Sequence, residues 1–93
     1  MRAMDLSDIK FMIKSRITRA ICSAESNIAS AWVGGVISKQ QLDAAVDQLD
    51  NALSLAKVAI DNAESDQEID EVTRELEQYL KNIVQRNKLP CKF

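Results

Sequence analysis

Between Asp61 and Glu77 the chain carries eight carboxylates against a single base, Arg74. Positioned carboxylates are one way to move protons in catalysis, and Glu71 and Glu75, four residues apart, share a helix face. Such pairs are commonplace on helices, and nothing around them completes a catalytic set. The chain has no histidine, which removes the commonest general base and the commonest metal ligand together. Its two cysteines, Cys22 and Cys91, stand in no metal or redox spacing, and no imidazole is present to activate either as a nucleophile. Cys91 is third from the end, not fourth as a prenylation box requires. No glycine-rich loop is available to cradle a phosphate. No catalytic residue, cofactor or metal is therefore expected, and the chain reads as a non-enzyme.

If the acids do not catalyse, they solvate or they dock. The plain reading is a solvated face that keeps the protein dispersed. The sharper one is a docking surface for a basic partner, formed by Asp61, Glu64, Glu68, Glu71 and Glu75, with mimicry of nucleic-acid phosphate as its extreme form. Charge is unevenly spread: residues 1–40 sum to +3, residues 41–80 to −9 and residues 81–93 to +4. Direct nucleic-acid binding is not expected of a chain whose pI is about 5.0. Lys10, Lys14, Arg16 and Arg19 can line one side of the first helix, with Phe11 and Met12 adding exposed apolar surface. That side suits a lipid surface, a partner helix or the acids of the third helix.

Composition bounds the elements that carry these residues. Ninety-three residues, 46% of them apolar, fit one folded domain. Two Gly and one Pro, with little aromatic content, point to an all-α chain. No apolar run is long enough to span a membrane. The first residues lack the apolar core of a signal peptide. Reduced thiols and the absence of such a peptide fit a cytoplasmic chain.

Three helices follow from periodicity and punctuation, over about 5–31, 38–64 and 66–86, with a tail over 87–93. Asp5 can cap the first, with Met4 stapled to Ile9. Its apolar face is Leu6, Ile9, Ile13, Ile17, Ile21, Ala24, Ile28 and Ala31, and its second half is rich in small side chains. Gly34 or Gly35 can adopt the left-handed conformation that ends it. Ser38 and Gln41 form a capping box for the second helix, with Ile37 stapled to Leu42. So short a connection predicts an antiparallel hairpin.

The second helix carries an almost perfect heptad: Leu42, Val46, Leu49, Leu53, Ala56, Ile60 and Ala63. Ala45, Ala52 and Ala59 fall at its g positions, so a neighbouring backbone can come close there. Leu55 and Val58 lie off the seam, which suggests that this helix meets neighbours on two sides. Ser65 and Glu68 form a second capping box, opening a third helix striped by Ile69, Val72, Leu76, Tyr79 and Ile83, with Leu80 and Val84 alongside. Asp70–Arg74 and Glu77–Lys81 are spaced for ion pairing. With neither Gly nor Pro between the last two helices, one bent helix is the alternative. The capping box and the six-residue step from Ala63 to Ile69 favour a break. Pro90 prevents the third helix from running on.

The fold expected is an all-α three-helix bundle. Phe11, Met12, Leu55, Val58 and Leu80 are more apolar surface than it should bury, and pairing of two copies into a larger bundle is one way to cover them. The function expected is that of a protein-binding module, a small inhibitor, immunity or accessory protein of phage or plasmid type that occupies a partner's surface. Trp32-Val33-Gly34, at the turn of a helical hairpin in a short acidic chain, resembles the WXG100 family of hairpin proteins exported by type VII systems as dimers. That resemblance implies an exported homodimer. The chain departs from the pattern in its early turn, in its third helix, and at Tyr79, which no acid follows four residues on. The structural alternative is that Trp32 plugs the end of the bundle while the glycines make the turn.

Overall fold

The computed structural model describes residues 5–90. Met4, the staple partner of Ile9, and Cys91 lie outside that range. Three helices result: α1 (Leu6–Val33), α2 (Lys39–Asn62) and α3 (Asp66–Asn87), with no strand among the described residues. They form the three-helix bundle that periodicity predicts.

Capping residues set the boundaries. The Asp5 carboxylate accepts from the backbone N–H of Asp8 (2.9 Å) and opens α1. α1 runs two residues past the expected Ala31, so Trp32 and Val33 belong to its last turn. Of the two glycines it is Gly35 that is left-handed, at φ +77°. The N–H groups of Gly35 and Val36 close onto the carbonyls of Trp32 and Ala31 (3.0 and 2.8 Å), satisfying groups the helix end leaves orphaned. Ser38 and Gln41 form the full capping box of α2.

The start of α3 departs from expectation. Ser65 accepts from the N–H of Glu68 (3.2 Å), but the Glu68 carboxylate accepts from the N–H of Glu64 (2.6 Å), one residue short of the reciprocal box. The break between α2 and α3 is real. Ala63 is extended, at ψ 140°, and its buried side chain holds the corner. At its far end α3 turns through Lys88, left-handed at φ 54°, and this drops Leu89 into the core. Leu89, expected in the tail, is instead core, because the apolar residue that follows a left-handed helix cap commonly packs back in this way.

α2 is the central helix. It packs closely against both α1 and α3, whereas those two approach each other at only a few points. Its buried positions are Leu42, Ala45, Leu49, Ala52, Ala56 and Ile60. Val46 and Leu53, although on the heptad seam, are only partly buried. With a neighbour on each side, the buried centre of α2 shifts from the a/d seam towards the alanine flank, where two backbones can approach. The third g alanine, Ala59, stays exposed. Polar clasps pin the two ends. Gln41 donates to the Asn87 carbonyl (2.9 Å) and Asn87 donates to Gln48 (3.0 Å). At the other end Lys14 pairs with Asp61 (2.6 Å).

Trp32 does not plug the bundle. It is 40% exposed, with the Lys39 ammonium 4.9 Å from its ring centre. The turn returns Ile37 to the core at that end, and Ile37 and Leu89 are the residues buried there. Tyr79, expected in the core stripe of α3, is exposed as well. Leu80, expected as surplus surface, is buried in its place. The Asp70–Arg74 and Glu77–Lys81 pairs do not close; the i,i+4 ion pair found among the described residues is Lys39–Asp43 (3.1 Å).

Candidate interaction surface

The bundle leaves two apolar surfaces open along its sides. The first lies between α2 and α3. Ala52, Ala56 and Ala59 are small enough to leave a groove of about 330 Å³, walled by Leu55 on one side and Val72, Leu76 and Tyr79 on the other. Glu75 stands in its wall. Leu55 is 68% exposed, and Val58, one turn further along α2, is 58% exposed. The second surface is on α1, where Phe11 is 71% exposed and its neighbour Met12 43%. Covering a large apolar side chain fully is worth about 1.5–3 kcal/mol, so at these exposures each residue retains roughly half or more of that for a partner.

A second groove, about 500 Å³, opens where α1 and α3 stand apart, edged by Arg16, Glu77 and Lys81. Its apolar floor is Ile17, Ala24, Leu76 and Leu80. All four are already buried by the fold, and Ala20 is the apolar lining residue left exposed. The large exposed apolar side chains along the sides of the bundle are Leu55, Val58 and Tyr79 on α2 and α3 and Phe11 and Met12 on α1.

The acids sort into two groups. Asp61 is committed internally: its carboxylate accepts from Lys14, and its backbone carbonyl accepts from Lys10 (2.8 Å). Those two lysines supply positive charge to the C-terminal end of α2, where the helix dipole favours it. Glu68 is committed to the Glu64 amide. Both acids stay exposed to solvent while each holds a partner within the fold. Glu64, Glu71 and Glu75 keep exposed side chains. The structure thus brings Leu55 and Glu75 together at the groove, leaves Val58 and Glu71 exposed outside its lining, and places Phe11 and Met12 on another helix.

Two features were missed in the sequence. Tyr79 lines the groove, although its spacing alone places it in the core stripe. Glu25 on α1 meets Asp50 on α2, a juxtaposition of residues twenty-five apart that no local pattern signals. Burial, reinforced by the hydrogen bond to Asp50 and by its negative charge, pushes the Glu25 carboxyl from 4.5 up to about 7. Below about 4.5 Glu25 is protonated both folded and unfolded, and it costs nothing. As pH rises from there to about 7, the folded state holds the extra proton and stability falls; above 7 the full cost applies. Glu25→Gln is therefore expected to stabilise the bundle by about 1 kcal/mol at mildly alkaline pH, after allowance for its partial exposure. The gain should vanish near pH 4, as paired thermal melts across that range will show.

Among the described residues no three His, Cys, Asp or Glu side chains come together to hold a metal ion. Nor, among the described residues, is any helix long and apolar enough to cross a membrane. Cys22 is exposed and unlinked. No protein-family model, curated protein or solved structure matches the chain.

Proposed function

We propose that this chain is a non-enzymatic protein-binding module, acting as a small inhibitor, immunity or accessory protein acts, by occupying the surface of another protein. The observation that carries this reading is the exposure of Leu55 on the wall of an alanine-floored groove, with Val58 exposed one turn further along a helix that α1 and α3 already pack against. Apolar side chains so placed weaken solubility unless something covers them. The Phe11/Met12 patch offers a second such surface. Total absence of histidine supports the non-enzymatic part. The acids fit the reading as an edge that orients a partner and speeds its encounter. Mimicry of nucleic acid is the weaker account: two of the five acids assigned to that face, Asp61 and Glu68, are engaged within the fold.

The test is affinity capture from the native cells with quantitative mass spectrometry, comparing wild type with Leu55→Glu/Val58→Glu and with Phe11→Ser/Met12→Ser. Each variant is first shown by circular dichroism to keep its helicity. At least one pair is expected to weaken recovery of a specific bound protein about tenfold or more, equivalent to about 1.4 kcal/mol. Equal recovery by wild type and by a variant combining all four substitutions contradicts the proposal.

A further inference from the structure

Three large exposed apolar side chains lie on neither side surface. Trp32 (40% exposed), Val33 (79%) and Val36 (67%) stand together at the α1–α2 turn, one end of a bundle 50 Å long. The turn itself forces this exposure. Gly35, left-handed, reverses the chain, and Ile37 takes the buried place beyond it, so Val33 and Val36 are left outside. Neither groove reaches this end. α3 finishes beside it, because Gln41, in the first turn of α2, donates to the Asn87 carbonyl.

The same end gathers base. The chain has no carboxylate between Glu25 and Asp43, and none from Gln78 to Pro90. Lys39, Arg86 and Lys88 lie here. Lys39 stands over the Trp32 ring and pairs with Asp43. Arg86 and Lys88 have no ion pair among the described residues. Glu77, the last acid of α3, is ten residues before Asn87. That places it about 15 Å back, beyond the about 8 Å over which exposed charges interact at physiological salt.

The other exposed apolar groups lack this combination. Leu55 and Tyr79 share their groove with Glu75. Phe11 and Met12 lie towards the opposite end, where Lys10 and Lys14 are engaged by Asp61. There α3 opens with Asp66, Glu68, Asp70 and Glu71. An anionic surface is repelled by those acids and attracted to the Trp32 end. The tip is convex, so a flat, fluid surface fits it without a matched shape. A tryptophan ring, apolar with one polar N–H, suits the headgroup level of a bilayer. Bases beside it add attraction to anionic lipid.

We propose that the α1–α2 turn docks end-on to an anionic lipid surface. Trp32, Val33 and Val36 enter the headgroup layer, and Lys39, Arg86 and Lys88 meet its phosphates. So shallow an anchor binds reversibly. This activity goes beyond the protein-binding reading, since it leaves the α2–α3 groove and the Phe11/Met12 patch facing water.

Trp32 is the only tryptophan of the chain, so its emission reports on the tip itself. The full chain is titrated with vesicles of phosphatidylcholine alone or with one-third phosphatidylglycerol, and binding is measured in parallel by cosedimentation. Anionic vesicles are expected to shift Trp32 emission to the blue, and lipids brominated near the headgroup to quench it. Binding to neutral vesicles, or at high salt, is expected to be at least about tenfold weaker. Arg86→Gln/Lys88→Asn is expected to weaken binding about tenfold or more, since each base near such a surface contributes about fivefold. Asn tolerates the left-handed conformation of Lys88. Val33→Ser/Val36→Ser, with helicity intact, is expected to lose binding several-fold, whereas Leu55→Glu/Val58→Glu should bind vesicles as wild type does. A wild type whose emission and sedimentation ignore anionic vesicles overturns the proposal, as does vesicle binding that both tip variants retain. If wild type ignores vesicles while Val33→Ser/Val36→Ser loses a captured protein, the turn serves a protein and the lipid assignment fails. Neither result bears on Leu55 and Val58, whose capture experiment stands or falls separately.

Discussion

Leu49→Ala is expected to destabilise the bundle by about 3 kcal/mol and to lower its melting temperature by about 15 °C. Leu49 has no solvent exposure and sits midway along α2, the helix on which both others pack. Truncating it removes contacts on two sides and leaves a cavity that three helices cannot easily close, because shifting α2 towards one neighbour opens the gap at the other. The matched substitution six residues on, Leu55→Ala, is expected to change stability by less than about 0.5 kcal/mol, since the Leu55 side chain meets mostly water. Thermal melts of both variants, at concentrations low enough to hold the chain monomeric, check the pair. Equal losses would mean that Leu55 belongs to the core and not to a binding surface.

The second large effect concerns the alanine flank. Ala45 is fully buried where α2 turns its small side chains to a neighbour. Ala45→Leu is expected to cost about 2–3 kcal/mol, because the added carbons must force helices apart or adopt strained rotamers. Ala59→Leu, one helix flank with the same heptad position, is expected to be close to neutral, since Ala59 is exposed at the α2–α3 groove. Chemical denaturation midpoints with unchanged m-values measure both. A tolerated Ala45→Leu would show that backbone proximity does not explain the alanines.

That contrast shows what could be read in advance and what could not. Boundaries were legible wherever a side chain satisfies an orphaned backbone group: Asp5, Ser38 and Ser65 each cap as their type and position imply. The helix count and the reality of the hairpin followed from the same local rules. What periodicity could not supply was the direction from which neighbours approach. A heptad marks an apolar seam, but α2 is clamped from two sides, so Ala45 outranks Val46 in burial, and Ala59 escapes it. Trp32 departs from expectation for the same reason, since only the path of the turn brings Ile37 to the bundle end. For the surface, Leu55, Val58, Phe11 and Met12 stood out by failing the pattern of their helices. Tyr79 obeyed its pattern and was therefore overlooked. The commitments of Asp61 to Lys14 and of Glu68 to a backbone amide depend on contacts that a run of acids cannot announce.

The central claim is that the exposed strip on α2 and α3 serves the binding of another protein and contributes nothing to the fold. Melting temperature as a function of the concentration of the captured protein, for wild type and Leu55→Glu side by side, tests this most directly. Wild type should melt at rising temperature as that concentration increases, because binding stabilises the folded state by mass action. Leu55→Glu should show no such rise, and the two should melt together in the partner's absence. A wild-type melting temperature independent of the partner, with Leu55→Glu lower by a constant amount throughout, would contradict the account and assign Leu55 to the fold.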